Sequence, residues 1–492
     1  MCFAGRVHTA DDPAPRAPSL VYGLEERVPP GPAVLVSLQH VAAMVVGTIT
    51  PPLILAGILK WNPADTAYFV SMALLASALG TLLQTLRPGP VGSGLLSVTG
   101  TSFSFLQPLV LAGQAGGLAL MFGMSLVTAP VQLVIAPFLP KLRRVFTPLV
   151  SGVVVLLIGL SLIPSAMHGI VAPAGPDAPV WAGGLVAVVV ITVVLGAQAA
   201  GRPWARVGGV LFGVAAGYGV CGLGGWLAAP VAGDGSWITL PRWMPHGFAF
   251  DWSLVPPFAF IYLVSVLEAM GDMTATAQLS GLPAEGADHR VRLRGGIFAD
   301  GLTSLLSALA GGFPSTTYAQ NNGVIQITGV ASRRIGPLMA LILALLGIFP
   351  AVGRWVTAMP PAVLGALALL LFGLVAVSGL RLIASRGVGQ RDALVVALAL
   401  AVGLGAPTQA GWLAELPGAL RALLESGIAA GGVTALVLNL VLPGGAEAAS
   451  GVGTKTVEEV VAAFPGPVDL VDAQVAHDGE DKRVERGLES EN

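Results

Sequence analysis

Three carboxylates stand in stretches of chain that otherwise carry apolar side chains. Glu268 and Asp272 lie in the run 256–281, and Asp300 lies in 295–312. A carboxylate near the centre of a bilayer costs roughly 2.5–3.5 kcal/mol even on mild insertion scales, so it normally faces a cavity and has a task there. Glu268 and Asp272 are four residues apart, one helical turn, and share a face. Two acids on one low-dielectric face resist ionising together, which is the physical requirement for a proton-coupled carrier. A polar run, Ser315-Thr316-Thr317-Tyr318-Ala319-Gln320-Asn321-Asn322-Gly323, supplies the complementary groups. A carboxylate accepts from a ring N–H, whereas the carboxamides of Gln320 and Asn321 both donate and accept. Together they suit a planar ligand with several N–H and C=O groups. The plainer alternatives are that Asp272 and Asp300 bond to backbone at broken helix ends and that Gln320 and Asn321 cap a helix. His40, after Gln39 in the first apolar run, fits either a coupling path or simple packing.

The elements that must hold these residues are membrane spans. Of 492 residues 54% are apolar and 11% charged, where a soluble protein carries about 25% charged. The 65 glycines suit close helix packing in lipid. Runs long enough to cross a bilayer, about 20 residues each or shorter where broken, fall at 33–57, 67–86, 94–113, 117–138, 148–166, 180–199, 206–229, 256–281, 295–312, 317–331, 336–356, 361–381, 392–409 and 422–442. The expectation is an all-α polytopic membrane protein with fourteen transmembrane segments, a tail at 1–32 and another at 443–492. With both termini cytoplasmic, 21 of the 25 Lys and Arg residues fall on the cytoplasmic side, as the positive-inside rule requires.

An even count allows two inverted repeats of seven. The third and tenth segments are both short and interrupted, and both carry hydroxyls before an aromatic: Thr101-Ser102-Phe103 and Thr316-Thr317-Tyr318. Broken segments at matching positions in two halves point to a transporter site near the midplane, and each short piece reads as a few residues of β-strand. A net charge of −2 argues for no nucleic-acid partner. Cys2 and Cys221 are too few for a disulfide framework, and no metal spacing is present. The polar, Pro-rich first 32 residues lack the apolar region of a cleavable signal.

Gln320-Asn321-Asn322-Gly323-Val324-Ile325-Gln326-Ile327-Thr328 resembles the Gln-Asn-x-Gly-x-x-x-x-Thr motif of the nucleobase–ascorbate transporter family, also called the nucleobase:cation symporter-2 or xanthine/uracil permease family. Gln39-His40, Gly100-Thr101-Ser102-Phe103 and Glu268-Ala269-Met270-Gly271-Asp272 are similar to other landmarks of that family, in the same order. The resemblance covers about residues 20 to 442. It implies a core domain of spans 1–4 (33–138) and 8–11 (256–356), and a gate domain of spans 5–7 (148–229) and 12–14 (361–442). The core would move against the gate like an elevator. By the same resemblance Glu268 and Gln320 hold the base, and Ser102, Phe103 and Tyr318 frame it. Asn321, Asp272, Asp300 and His40 form the supporting network and proton path. No cofactor is implied beyond the proton as coupling ion, and members of the family are commonly homodimers in an inner or plasma membrane.

Gln320 and Asp272 stand where the uracil branch usually has Glu and His, so the resemblance favours a purine, xanthine or uric acid, over a pyrimidine. Ser102 lies where small polar changes could separate those two purines. An anion exchanger or channel of the same architecture is the second class, although Glu268 would repel an anion. An intramembrane enzyme is the third, and the chain carries neither His-Glu-x-x-His nor Gly-x-Ser-x-Gly.

Overall fold

Prolines and capping residues set where the long helices begin. In the computed structural model α1 (Pro30–Leu59) and α2 (Pro63–Leu86) each start on a proline, where the missing N–H has no intrahelical partner to lose. The Asn62 side chain accepts from the Asp65 amide at 2.8 Å and caps α2. Pro51 and Pro52 lie inside α1 and remove two backbone donors. Nearby, the hydroxyls of Thr48 and Thr50 donate back to the carbonyls of Met44 and Val46, at 3.2 and 2.7 Å. The described residues are 20–138, 147–173, 175, 178–200, 202–227, 238–284, 286–349, 359–384 and 387–443. The chain divides into a unit Met1–Val441 and a second, Leu442–Asn492; every element named here belongs to the first.

A loop after α2 leads to strand β1 (Thr99–Thr101) and a 3-10 turn at Phe103–Phe105, which opens α3 (Leu106–Thr128). α4 (Pro130–Ile135), α5 (Pro148–Val171), α6 (Ala182–Ala199) and α7 (Pro203–Leu223) follow. Next come α8 (Val255–Leu279), α9 (Ala287–Leu309), strand β2 (Ser315–Thr317), α10 (Gln320–Thr328) and α11 (Gly336–Ile348). The described part ends with α12 (Pro361–Ala384), α13 (Gln390–Gly405), α14 (Ala410–Ala414), α15 (Gly418–Glu425) and α16 (Gly427–Val441).

The packing falls into two groups. α1 to α4 contact mostly one another, α8 to α11 and the two strands; α5 to α7 contact mostly one another, α12, α13 and α16. Lipid offers no hydrophobic drive between helices, so small residues must let backbones approach. The α5–α12 seam is built that way. A Cβ on Gly159 would lie 2.5 Å from the Ala376 nitrogen, and one on Gly379 would lie 2.4 Å from that of Leu156. On the outside, Val188, Leu195, Leu374, Leu394 and Leu398 are exposed, an apolar surface suited to hydrocarbon.

Each of the fourteen apolar runs contains a helix or part of one, but only eight helices among the described residues are long and apolar enough to cross a membrane. The difference has local causes. One of the eight, Phe103–Phe138, covers two runs, which non-helical backbone at Gly116 and Gly117 divides. α9 opens with Asp288, Arg290, Arg292 and Arg294, and α10, α11 and α16 have 9, 13 and 15 residues. Residues 350–358, which belong to the run 336–356 and its outlet, lie outside the described residues, as do 1–19 of the first tail and 444–492 of the second.

The stretch 20–28, within the tail expected at 1–32, is bonded to the rest of the chain. The amides of Val21 and Tyr22 donate to the Gly329 carbonyl, the Ala331 amide donates to Tyr22, and the Arg333 amide donates to Leu24. The Arg333 guanidinium pairs with Glu25 at 2.7 Å and also reaches the last carbonyls of α2, at Thr85 and Leu86. This strap ties the chain just beyond α10 to the end of α2.

Candidate functional site

The site is built on two three-residue strands. β1 and β2 pair antiparallel, with Thr99 opposite Thr317, Gly100 opposite Thr316 and Thr101 opposite Ser315. The pairing continues at both ends, since the Tyr318 amide donates to the Val98 carbonyl and the Ser102 amide to that of Pro314. Each strand is anchored from behind by hydroxyls. Ser77 of α2 donates to the Thr99 carbonyl, and the Thr99 amide donates to Thr81. Ser304 of α9 accepts from the Ser315 amide at 3.0 Å. Buried backbone polar groups need partners, and these anchors supply them. α3 and α10 leave from opposite ends of the pair, so both helix N-termini begin at the site.

One face of α8 runs along this assembly. Glu268, Asp272 and Thr276 follow each other at intervals of one turn. Ser104, just beyond β1, donates to Glu268 Oε2 at 3.1 Å. Asp272 lies beside Thr317 of β2, within electrostatic range of Glu268 and Asp300. Thr276 donates to Asn322 Oδ1 at 2.7 Å, which fixes α10 to α8. Glu268 and Asp272 are half-buried, whereas Asp300 is wholly buried. Asp300 is held from α2: Gln84 Nε2 donates to its Oδ1 at 2.9 Å and to the Gly296 carbonyl at 2.9 Å, while Gln84 Oε1 accepts from the Ser93 amide at 3.0 Å.

The nine residues expected at the site do not all meet. Glu268, Asp272 and Asp300 come together around the strand pair. Ser102 and Asn321 are buried at its two ends, and the Ser102 hydroxyl and both amide atoms of Asn321 have no hydrogen-bond partner among the described residues. Buried polar atoms are nearly always satisfied, so these are groups a ligand could use. Gln320, at the start of α10, is exposed, and Phe103 is half-buried with its ring edge-on to Phe372 at 5.7 Å. The Tyr318 hydroxyl donates to the Thr101 carbonyl at 2.7 Å and its ring lies against Gly47 and Gly100, so it braces the strands. His40 is fully buried, and neither ring nitrogen has a hydrogen-bond partner among the described residues. No described ion pair or hydrogen bond links it to the three acids.

Ser104 and Gln84 contact the expected acids Glu268 and Asp300 and have no role in the sequence reading, whereas Thr317 and Asn322, both in the polar run, meet Asp272 and Thr276. Gln84 carried a readable signal, a carboxamide within the apolar run 67–86. Substituting it with Leu strips a buried carboxyl of its donor, a loss of about 1–3 kcal/mol or more. Gln84→Leu is therefore expected to lower the thermal unfolding midpoint of the protein in detergent; an unchanged midpoint would show that the Asp300 contact carries no stability.

Among the described residues no cluster of three or more His, Cys, Asp or Glu could hold a metal. A cavity of about 600 Å³ between α1, α5 and α12, bordered by Leu53, Ile54, Ser165, His168, Leu364 and Ala368, contains none of the nine residues. It is a mostly apolar crevice between the two helix groups.

Comparison with known proteins gives a consistent picture. Residues 31–411 match the family model described as a permease family. The chain is 40% identical over 440 residues to the xanthine permease XanP of Escherichia coli (strain K12), covering 86% of this chain and 95% of that protein. It is 32% identical over 412 residues to the uric acid permease PucJ of Bacillus subtilis (strain 168), covering 82% and 91%. Among solved structures, the murine anion transporter Slc26a9 in its inward-facing state superposes with a TM-score of 0.57 at 13% identity, over 85% of this chain and 69% of that one. At that identity the likeness concerns the fold alone.

Proposed function

The chain belongs to the nucleobase–ascorbate transporter family of permeases, and we propose that it carries an oxidised purine, xanthine or uric acid, across the membrane together with a proton. It is a multi-pass membrane permease, a transporter and not an enzyme. The observation that carries the purine reading is the face of α8. Glu268, held by Ser104 beside the strand pair, offers an acceptor to ring N–H groups, and the Gln320 and Asn321 carboxamides offer donors and acceptors to the rest of the ring. Phe103 and the Ser102 hydroxyl complete the frame, with Tyr318 bracing the strands on which it rests. The names of the relatives support both purines, and Ser102 is the residue to separate them. Glu268 opposes the anion-exchange alternative.

Proton coupling is assigned to the carboxyl cluster. Asp272 and Asp300 stand within electrostatic reach of each other and of Glu268, so a proton taken at one is felt by all three. His40, apart from that cluster, takes its place in the network through α1. In this reading the fourteen runs are fourteen spans in two inverted repeats of seven, with both termini cytoplasmic and the strands in spans three and ten. The group α1–α4 with α8–α11 is the core, the group α5–α7 with α12, α13 and α16 is the gate, and the core moves against the gate in an elevator cycle. The protein works as a homodimer.

The test is radiolabelled xanthine uptake by cells expressing the protein, competed with uric acid, uracil and guanine, in the wild type and in Gln320→Glu. Saturable uptake blocked by uric acid and not by uracil is expected. Gln320→Glu replaces a donor–acceptor by an acceptor and is expected to weaken xanthine recognition roughly 10-fold or more, the equivalent of one hydrogen bond to a charged or polar ring group. Uptake of uracil in place of xanthine would overturn the purine assignment and leave a permease.

A further inference from the structure

The break between α15 and α16 is closed by a side chain from outside the gate. Glu425 ends α15 and Ile428 lies in the first turn of α16, so each brings a backbone group without a partner in its own helix. The carboxamide of Gln107, in the first turn of α3, meets both. Its Nε2 donates to the Glu425 carbonyl at 3.3 Å, and its Oε1 accepts from the Ile428 amide at 3.4 Å. One turn earlier on the same face, Phe103 touches Phe372 of α12. The segment that leaves β1 thus rests on the second group of helices at two points. Edge-on rings tolerate sliding, whereas a two-point carboxamide contact needs its donors and acceptors in register. Gln107 is therefore a contact, among those joining the groups, that depends on their register.

We propose that Gln107 is a positioning residue that clasps the α15–α16 break and must release it in every transport cycle, so that it sets the rate of translocation and not the affinity for substrate. The inference rests on the alternating-access reading above and adds to it a residue and a contact.

The test uses the full chain with Gln107→Cys and Glu425→Cys, in a background carrying Cys2→Ser and Cys221→Ala, reconstituted in liposomes. A short, reductant-cleavable bis-methanethiosulfonate joins the two thiols. Spin labels attached through unnatural amino acids on α9 and α13 report the distance between the groups without using thiols or substrate. The linked protein is expected to bind xanthine as the unlinked one does, to lose uptake, to show one distance in place of a distribution, and to recover on reduction. Uptake that persists in fully linked protein, or a distance distribution unchanged by the link, would overturn the clasp. Loss of binding together with uptake would also overturn it, since Gln107 would then be supporting the site itself. If the link narrows the distances while the unlinked parent neither binds nor takes up xanthine, the clasp stands and the purine reading falls. As a second variant, Gln107→Leu is expected to change the maximal rate of uptake and leave xanthine affinity unaltered.

Discussion

Glu268→Gln is expected to lose saturable xanthine uptake while the protein still reaches the membrane. The substitution keeps the shape and leaves an oxygen for Ser104, the hydrogen-bond partner of Glu268 in the chain, so the local structure has little reason to change. What disappears is the charge. A hydrogen bond to a charged group contributes about 1.5–3 kcal/mol, so xanthine affinity should fall roughly 10- to 150-fold. If the proposed coupling holds, proton movement with substrate should fall as well, because the cluster of Glu268, Asp272 and Asp300 loses the member assigned to the substrate. Equilibrium binding of labelled xanthine to the purified variant checks the first effect. Wild-type affinity in Glu268→Gln would remove this residue from the site.

Gly100→Ala is the second large effect, and it acts through packing. A Cβ there would lie 2.6 Å from Tyr318 Cζ and 2.7 Å from the Thr48 hydroxyl, closer than atoms in a protein approach. The ring cannot move without breaking its hydrogen bond to Thr101, so β1 and β2 must separate. Overpacking a tight core costs about 1–3 kcal/mol, and here it falls on the strands that hold the site. The variant should unfold at a lower temperature in detergent and lose uptake. Gly323→Ala is the contrast: a Cβ at that position meets nothing within 4 Å, and Ala in a helix is better than Gly by about 0.5–1 kcal/mol. Its thermal stability should match or exceed that of the wild type. Equal behaviour of the two variants would contradict the packing described around Tyr318.

These two glycines mark the limit of what the sequence reveals. Both lie in or beside polar motifs, and only the approach of the Tyr318 ring, 217 residues along the chain from its hydrogen-bond partner, separates them. The acids of α8 were legible because a four-residue interval in an apolar run places them on one face. Their partner Ser104 was not, because a common hydroxyl residue distant in sequence gives no local signal. The resemblance places Tyr318 at the site, but the direction of its ring is decided by the space at Gly47 and Gly100, which no local pattern reveals. The bonding of the strap 20–28 has no signal in the sequence, because its polar, proline-bounded stretch has no strand pattern; its pairing with 329–333 is a property of the fold. The apolar runs were legible as helices, since span length and apolarity are local. How many cross the bilayer is not fixed by length alone, because α9 begins in charge and β1 and β2 interrupt their runs.

The most direct test of the central claim is proton movement driven by substrate. The purified protein is reconstituted in liposomes that enclose a pH-sensitive dye, and xanthine is added outside without sodium. A proton-coupled purine permease predicts acidification inside that saturates with xanthine, is competed by uric acid, and is absent in Glu268→Gln. Saturable xanthine entry with no change of internal pH, or entry that requires sodium and ignores a pH gradient, would contradict it.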